Sequence, residues 1–214
     1  MEFSDIKGHW AEETIKKFKD KGIIAGYPDG TFKPDNPVTR SEFAKIITLA
    51  FDLQEKSVIT YEDLDSSAWY YPYLEYTVQY IPVYPLPVAY PNNMPYDDSK
   101  NPYNLDVYQI VDNYNYVMND RKYFLPDVNT IRMHAAEALV KIKMKKENIY
   151  IELPSIYDIQ KELFEPSQDW DYYTFFAMHG KIPKNAQRMF EYTLLAKELD
   201  VMQGDSEGHF NPYD

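Results

Sequence analysis

Arg40 follows Thr39 at the start of an expected helix, and it is the side chain there that local helix chemistry does not require. A cation in the first turn opposes the positive end of the helix dipole, a cost of a few tenths up to about 1 kcal/mol. An arginine that breaks this rule suits recognition of an anion by charge-assisted, bidentate hydrogen bonds. The alternatives are a solvated arginine or one paired with Asp5 or Asp35. Other chemistry finds little support. His9, His134, His179 and His209 show no i, i+4 pair and no H-E-x-x-H spacing, so turn roles are expected in place of metal ligation. Asp29, Asp35, Asp63 and Asp65 do not form a calcium-loop pattern. Adjacent acids such as Glu12-Glu13 and Asp97-Asp98 carry no weight in so acidic a chain. No nucleophile elbow, phosphate loop or dinucleotide fingerprint occurs, and there is no cysteine. The expected chemistry is binding, with no catalytic residue, cofactor or metal.

The elements that must position Arg40 are well signalled. Thr39 and Glu42 form a capping box, with Val38 and Phe43 as its hydrophobic staple. Phe43, Ile46, Ile47, Ala50 and Phe51 predict the buried stripe of the helix that follows. Upstream, Trp10, Ala11, Ile15 and Phe18 predict a first helix with these residues facing the core. Gly22 suits the left-handed position that ends it. Tyr27-Pro28-Asp29-Gly30 is turn chemistry, with proline fixing φ and glycine accepting a positive φ.

Composition narrows the class. The 214 residues are 44% hydrophobic and 16% aromatic, enough for one large or two small domains. The net charge of −12 disfavours a nucleic-acid binder. Residues 147–214 hold 5 basic and 13 acidic residues, net −8, and are the least suited to an anionic ligand. No run of 18 apolar residues exists to span a membrane. Met1-Glu2-Phe3 leads straight into the first patterned segment, so no signal peptide is expected within these residues.

The segments F-S-D-I-K-G-H-W-A (3–11), G-I-I-A-G-Y-P-D-G-T-F-K-P (22–34) and V-T-R-S-E-F-A (38–44) closely resemble, in order and spacing, the S-layer homology repeat. The resemblance implies a mainly α fold in which three helix-turn-helix repeats pack about a pseudo-threefold axis. It implies non-covalent anchoring of an exported protein to the cell wall of mostly Gram-positive bacteria, at the cell surface. The implied partner is a secondary cell-wall polysaccharide, commonly pyruvylated. The family's T-R-A-E motif maps to Thr39, Arg40, Ser41 and Glu42, and its arginine is the residue tied most closely to the glycan. On this reading Asp5 orients the arginine or accepts sugar hydroxyls. Trp10, otherwise a core residue, offers a stacking face. Amides near Gly26 and Thr39 add anion donors.

The repeat recurs. Residues 1–55 are the first copy and 56–148 the second, opened by Tyr61, Asp63 and Trp69, with a helix expected from Trp69 to about Tyr80 that admits Pro72 in its first turn. Phe124, Pro126, Arg132 and Ala136 match Phe32, Pro34, Arg40 and Ala44 at an offset of 92. Arg132 is thus the second arginine. Its capping box is lost to Ile131 and His134, so Asn129 or Thr130 is expected to cap instead. An insertion at about 81–115 holds six prolines and six tyrosines. The third copy, 149–214, should place a helix over Pro183 to Met202 with Met189, Leu195 and Leu199 inward. Gly204, Gly208, Phe210 and Pro212 then match Gly26, Gly30, Phe32 and Pro34 at an offset of 178, and the sequence stops before a third T-R-A-E segment. That incomplete copy admits self-association. The rival reading is a degenerate scaffold that binds a protein partner through the insertion.

Overall fold

A computed structural model describes residues 2–82, 84–85, 122–151 and 192–204. It is mainly α and divides into two compact units, one of residues 1–59, 64–79 and 126–130, the other of residues 60–63, 80–125 and 131–214. Among the described residues no helix is long and apolar enough to cross a membrane.

In the first unit, α1 spans Glu12–Asp20 and α2 Arg40–Ala50, and α3 spans Tyr71–Thr77. α1 has acids in its first turn and lysines in its last, which complements the helix dipole. It ends as Gly22 predicts. Gly22 holds φ 71°, its N–H donates to Lys19 O at 2.8 Å, and the Ile23 N–H reaches back to Phe18 O at 3.0 Å. Phe3, Ile6 and Ile15 form a small core with Ala11, Ile24 and Phe32 packed on it.

Trp10 does not share that core. It precedes the helix and is 90% exposed, which corrects its expected inward placement. The stripe expected along α2 is also rotated. Arg40, Ser41, Ala44, Ile47 and Thr48 are buried, while Phe43 and Ile46 are half-buried and Ala50 is exposed. The cause is the neighbour. α2 packs on α3, and Thr48 Oγ1 donates to Ala44 O and Tyr73 O at 2.8 and 3.3 Å, which brings the Arg40–Ala44–Ile47 side inward. α3 carries Pro72 in its first turn, where no helical N–H is lost.

In the second unit, β1 (Tyr84–Pro85) pairs antiparallel with β2 (Lys122–Tyr123). α4 spans Arg132–Glu147 and ends at Asn148 in the left-handed conformation. Its N-cap is Ile131, with no side-chain cap bond, so neither Asn129 nor Thr130 caps it. Thr130, which belongs to the first unit, donates its backbone N–H to Val38 O of that unit at 2.7 Å. Lys145 and Lys146 occupy the last turn of α4, where they complement the helix dipole, while Lys141 and Lys143 pair with Glu137 and Glu147.

Residues 192–198 are helical, and Leu195 and Ala196 pack with Ala136 and Val140. This helix stops before the expected Met202, because Asp200 turns left-handed at φ 53°. The Asp200 N–H donates to Lys197 O and the Val201 N–H to Ala196 O, at 3.1 and 2.8 Å. These are the bonds of the α1 terminus shifted by 178 residues, with Asp200 in the place of Gly22. Met189 lies outside the described residues, as does the segment from Gly208 to Pro212; the expected insertion is described only at 81, 82, 84 and 85.

Candidate functional site

The loop between α1 and α2 is built around one carboxylate. Asp5 Oδ1 accepts the Phe32 N–H at 2.9 Å and Oδ2 accepts the Lys33 N–H at 2.7 Å. Burial works against the ionised form, but these two amides prevail and hold the Asp5 carboxyl below the usual range. The clamp brings the Phe32 ring to 5.5 Å from Phe3. Gly26 lies beneath, at φ 72°; a Cβ there would sit 2.2 Å from Phe3 Cε1 and 2.6 Å from Thr31 O. The tip closes as turn chemistry predicts. The Gly30 N–H donates to Tyr27 O at 3.0 Å, and Asp29 Oδ1 accepts the Thr31 N–H at 3.0 Å and its hydroxyl at 2.6 Å.

Thr39 and Glu42 form the expected capping box. Glu42 Oε2 accepts the Thr39 N–H at 2.9 Å, and Thr39 Oγ1 accepts the Glu42 N–H at 3.3 Å. The Tyr27 hydroxyl adds a bond to Glu42 Oε1 at 2.7 Å, a partner that sequence reasoning missed. That bond, with burial and the nearby negative charge of Glu42, pushes the Tyr27 hydroxyl up to about 12. Burial would raise Glu42, but the Tyr27 hydroxyl and the Thr39 donors outweigh it and lower its carboxyl.

The start of α2 is not an open anion site. The Arg40 N–H donates to Val128 O at 2.8 Å, and the Ser41 N–H to Pro126 O at 2.9 Å. The Glu42 N–H goes to Thr39 Oγ1 and the Thr39 N–H to Glu42 Oε2. The four donors that a helix N-terminus leaves over are therefore all used, which corrects the expectation that Thr39 would lend amides to a ligand.

Arg40 itself is 0% exposed, which excludes the solvated alternative. Both Asp5 oxygens serve the loop amides. Asp35 meets His9 instead, with Nε2 at 3.1 Å from Oδ1, while His9 Nδ1 accepts the Ala11 N–H at 3.2 Å. The His9 ring lies 5.5 Å from that of Trp10. His9 thus ties the Trp10 turn to the loop that leads into Thr39, a link that the turn assignment of His9 did not reveal.

An equivalent clamp stands at the position expected for a second copy. Asp63 Oδ1 and Oδ2 accept the Phe124 and Leu125 N–H groups at 3.0 and 2.6 Å. Leu125 holds φ 58°, as Lys33 does, and the Tyr61 ring lies 5.9 Å from Phe124. Trp69, like Trp10, faces solvent, at 55% exposed. Lys45 Nζ lies 5.8 Å from its ring and 5.7 Å from that of Tyr73. Arg132 is half-buried, and its Nη2 donates to Gln203 O at 2.8 Å. Gln203 lies 178 residues after Ala25, the offset expected of a third copy.

Comparison with known proteins places these features. Residues 2–44 match the family model of the S-layer homology domain. A segment of the chain is 52% identical over 50 residues to Cell surface glycoprotein 1 of Acetivibrio thermocellus, covering 23% of this chain and 2% of that protein. Another is 49% identical over 45 residues to the Cellulosome-anchoring protein of the same organism, covering 21% of this chain and 10% of that protein. The Surface-layer 125 kDa protein of Lysinibacillus sphaericus is 33% identical over 78 residues, covering 36% of this chain and 6% of that protein. The chain thus spans a small part of the curated relatives that it matches.

Proposed function

We propose that the S-layer homology segment at residues 2–44 makes this chain an anchor, holding a protein at the bacterial surface by non-covalent binding to a cell-wall polysaccharide. The observation that carries the reading is Trp10, a large aromatic ring 90% exposed beside a loop fixed by the Asp5 clamp and the His9–Asp35 contact. A ring of this size loses much apolar surface when a sugar face covers it, and a fixed loop keeps the ordering cost low. The matched relatives, named as surface and anchoring proteins, support the same reading.

In this mechanism Trp10 stacks on the sugar. The Asp5 oxygens, which can accept further bonds, take hydroxyls. Separately, in the second unit, Arg132, half-buried, offers a guanidinium to a ligand carboxylate such as a pyruvyl group. Arg40, wholly buried, is a positioning residue at the root of the loop. The role is binding without catalysis.

The test is co-sedimentation with purified cell-wall sacculi, before and after chemical removal of the secondary polysaccharide. Wild type should pellet only while the polysaccharide is present. Trp10→Ala should lose binding about tenfold, equivalent to about 1.4 kcal/mol, with an unchanged melting curve. Equal pelleting after the polysaccharide is stripped, or none by the folded wild type, would overturn the anchor.

A further inference from the structure

In the second unit, backbone contacts on either side of positions 86–121 reproduce the turn of the first copy. In that turn the Tyr27 N–H donates to Thr31 O at 2.8 Å, with Pro28 next along the chain. In the second copy Tyr84 pairs with Tyr123 and Pro85 with Lys122. At the offset of 92, Tyr123 stands for Thr31 and Lys122 for Gly30, while Tyr84-Pro85 repeats Tyr27-Pro28. Tyr80 is buried ahead of the pair, as Ile23 is ahead of its turn. Beyond the pair, Asp63 grips Phe124 and Leu125 as Asp5 grips Phe32 and Lys33. The repeat's own contacts therefore hold the chain up to Pro85 and resume at Lys122.

We infer that residues 86–121 are a graft in the place of one turn residue, Asp29, and that neither folding of the repeat nor attachment to the wall depends on them. The statement about attachment rests on the function proposed above; the statement about folding does not. The graft begins and ends later than the 81–115 read from spacing alone, since the strand pair aligns Val83, in place of Met118, with Gly26. An insertion of this length is tolerated here because closure entropy grows only with the logarithm of its length, and the Tyr84–Tyr123 pair closes its two ends.

Two variants test it. One replaces residues 86–121 by a single Asp and includes Lys122→Gly, because Gly30 holds φ 83° in the turn being copied. The other replaces them by a Gly-Ser loop of about 12 residues, long enough to relieve any strain in the short turn. Cooperative melting within about 5 °C of wild type, in either variant, is the expected result. Loss of cooperative melting in both would overturn the graft. Folded variants should pellet with sacculi within about twofold of wild type, a difference of about 0.4 kcal/mol. Folded variants that no longer pellet, while wild type does, would make the insertion part of the wall site. A wild type that does not pellet would defeat the anchor reading, and the melting curves would still decide the graft.

Discussion

Gly22 and Gly26 have nearly the same backbone, φ 71° and 72°, yet differ in what surrounds them. Nothing lies within 4 Å of a Cβ built on Gly22, so Gly22→Ala should cost only the left-handed strain, about 1 kcal/mol. At Gly26 the Phe3 ring and the Thr31 carbonyl occupy that space. Gly26→Ala should therefore cost about 1–3 kcal/mol more, because the ring must shift. Denaturant midpoints of the two variants give the comparison directly; equal losses would mean that the loop yields freely. The same scale accounts for Arg40. Its position in the motif was legible, because a lone cation at a capped helix start stands out. Its burial was not, because residues 126–130, whose Val128 and Pro126 carbonyls accept the Arg40 and Ser41 N–H groups, lie far away in the sequence.

The α2 capping box makes stability depend on pH at both ends of the scale. Thr39→Ala should cost about 1 kcal/mol, read from urea unfolding. Glu42 has a lowered carboxyl in the folded chain. Its contribution is complete above its unfolded value and is lost as pH falls through the folded one. Tyr27 is displaced upward, to about 12. Its contribution is complete below the ordinary tyrosine value of about 10 and is lost as pH rises from there through about 12. Tyr27→Phe should flatten the alkaline arm of a stability-against-pH curve, and Glu42→Gln the acid arm; an unchanged alkaline arm in Tyr27→Phe would mean that the Tyr27–Glu42 bond does not form in solution. Elements of this kind were legible wherever the signal is local. Thr39-x-x-Glu42, Gly22 and Tyr27-Pro28-Asp29-Gly30 name their own geometry. The Tyr27–Glu42 bond and the His9–Asp35 contact join residues 15 and 26 apart and leave no periodic trace. The end of the helix at 192–198 was misjudged for a related reason: the left-handed stop is Asp200, where glycine would have marked it.

For the whole molecule the governing quantity is a net charge of −12. An anionic wall polymer would repel such a chain at long range, even with cationic contacts at the site. Raising ionic strength from about 0.01 M to about 0.15 M shortens the screening length from about 30 Å to about 8 Å. Wall binding should therefore increase over that range in the sedimentation assay. A decrease would show that exposed lysines and arginines outweigh the overall charge. The duplicated carboxylate clamp has a further use. The amides of Phe32 and Lys33 answer to one aspartate, and those of Phe124 and Leu125 to another. Hydrogen exchange at these four positions gives each copy of the repeat its own clock for local opening. The two copies can then be timed separately inside one intact chain, and a polysaccharide that engages one of them will slow only that pair.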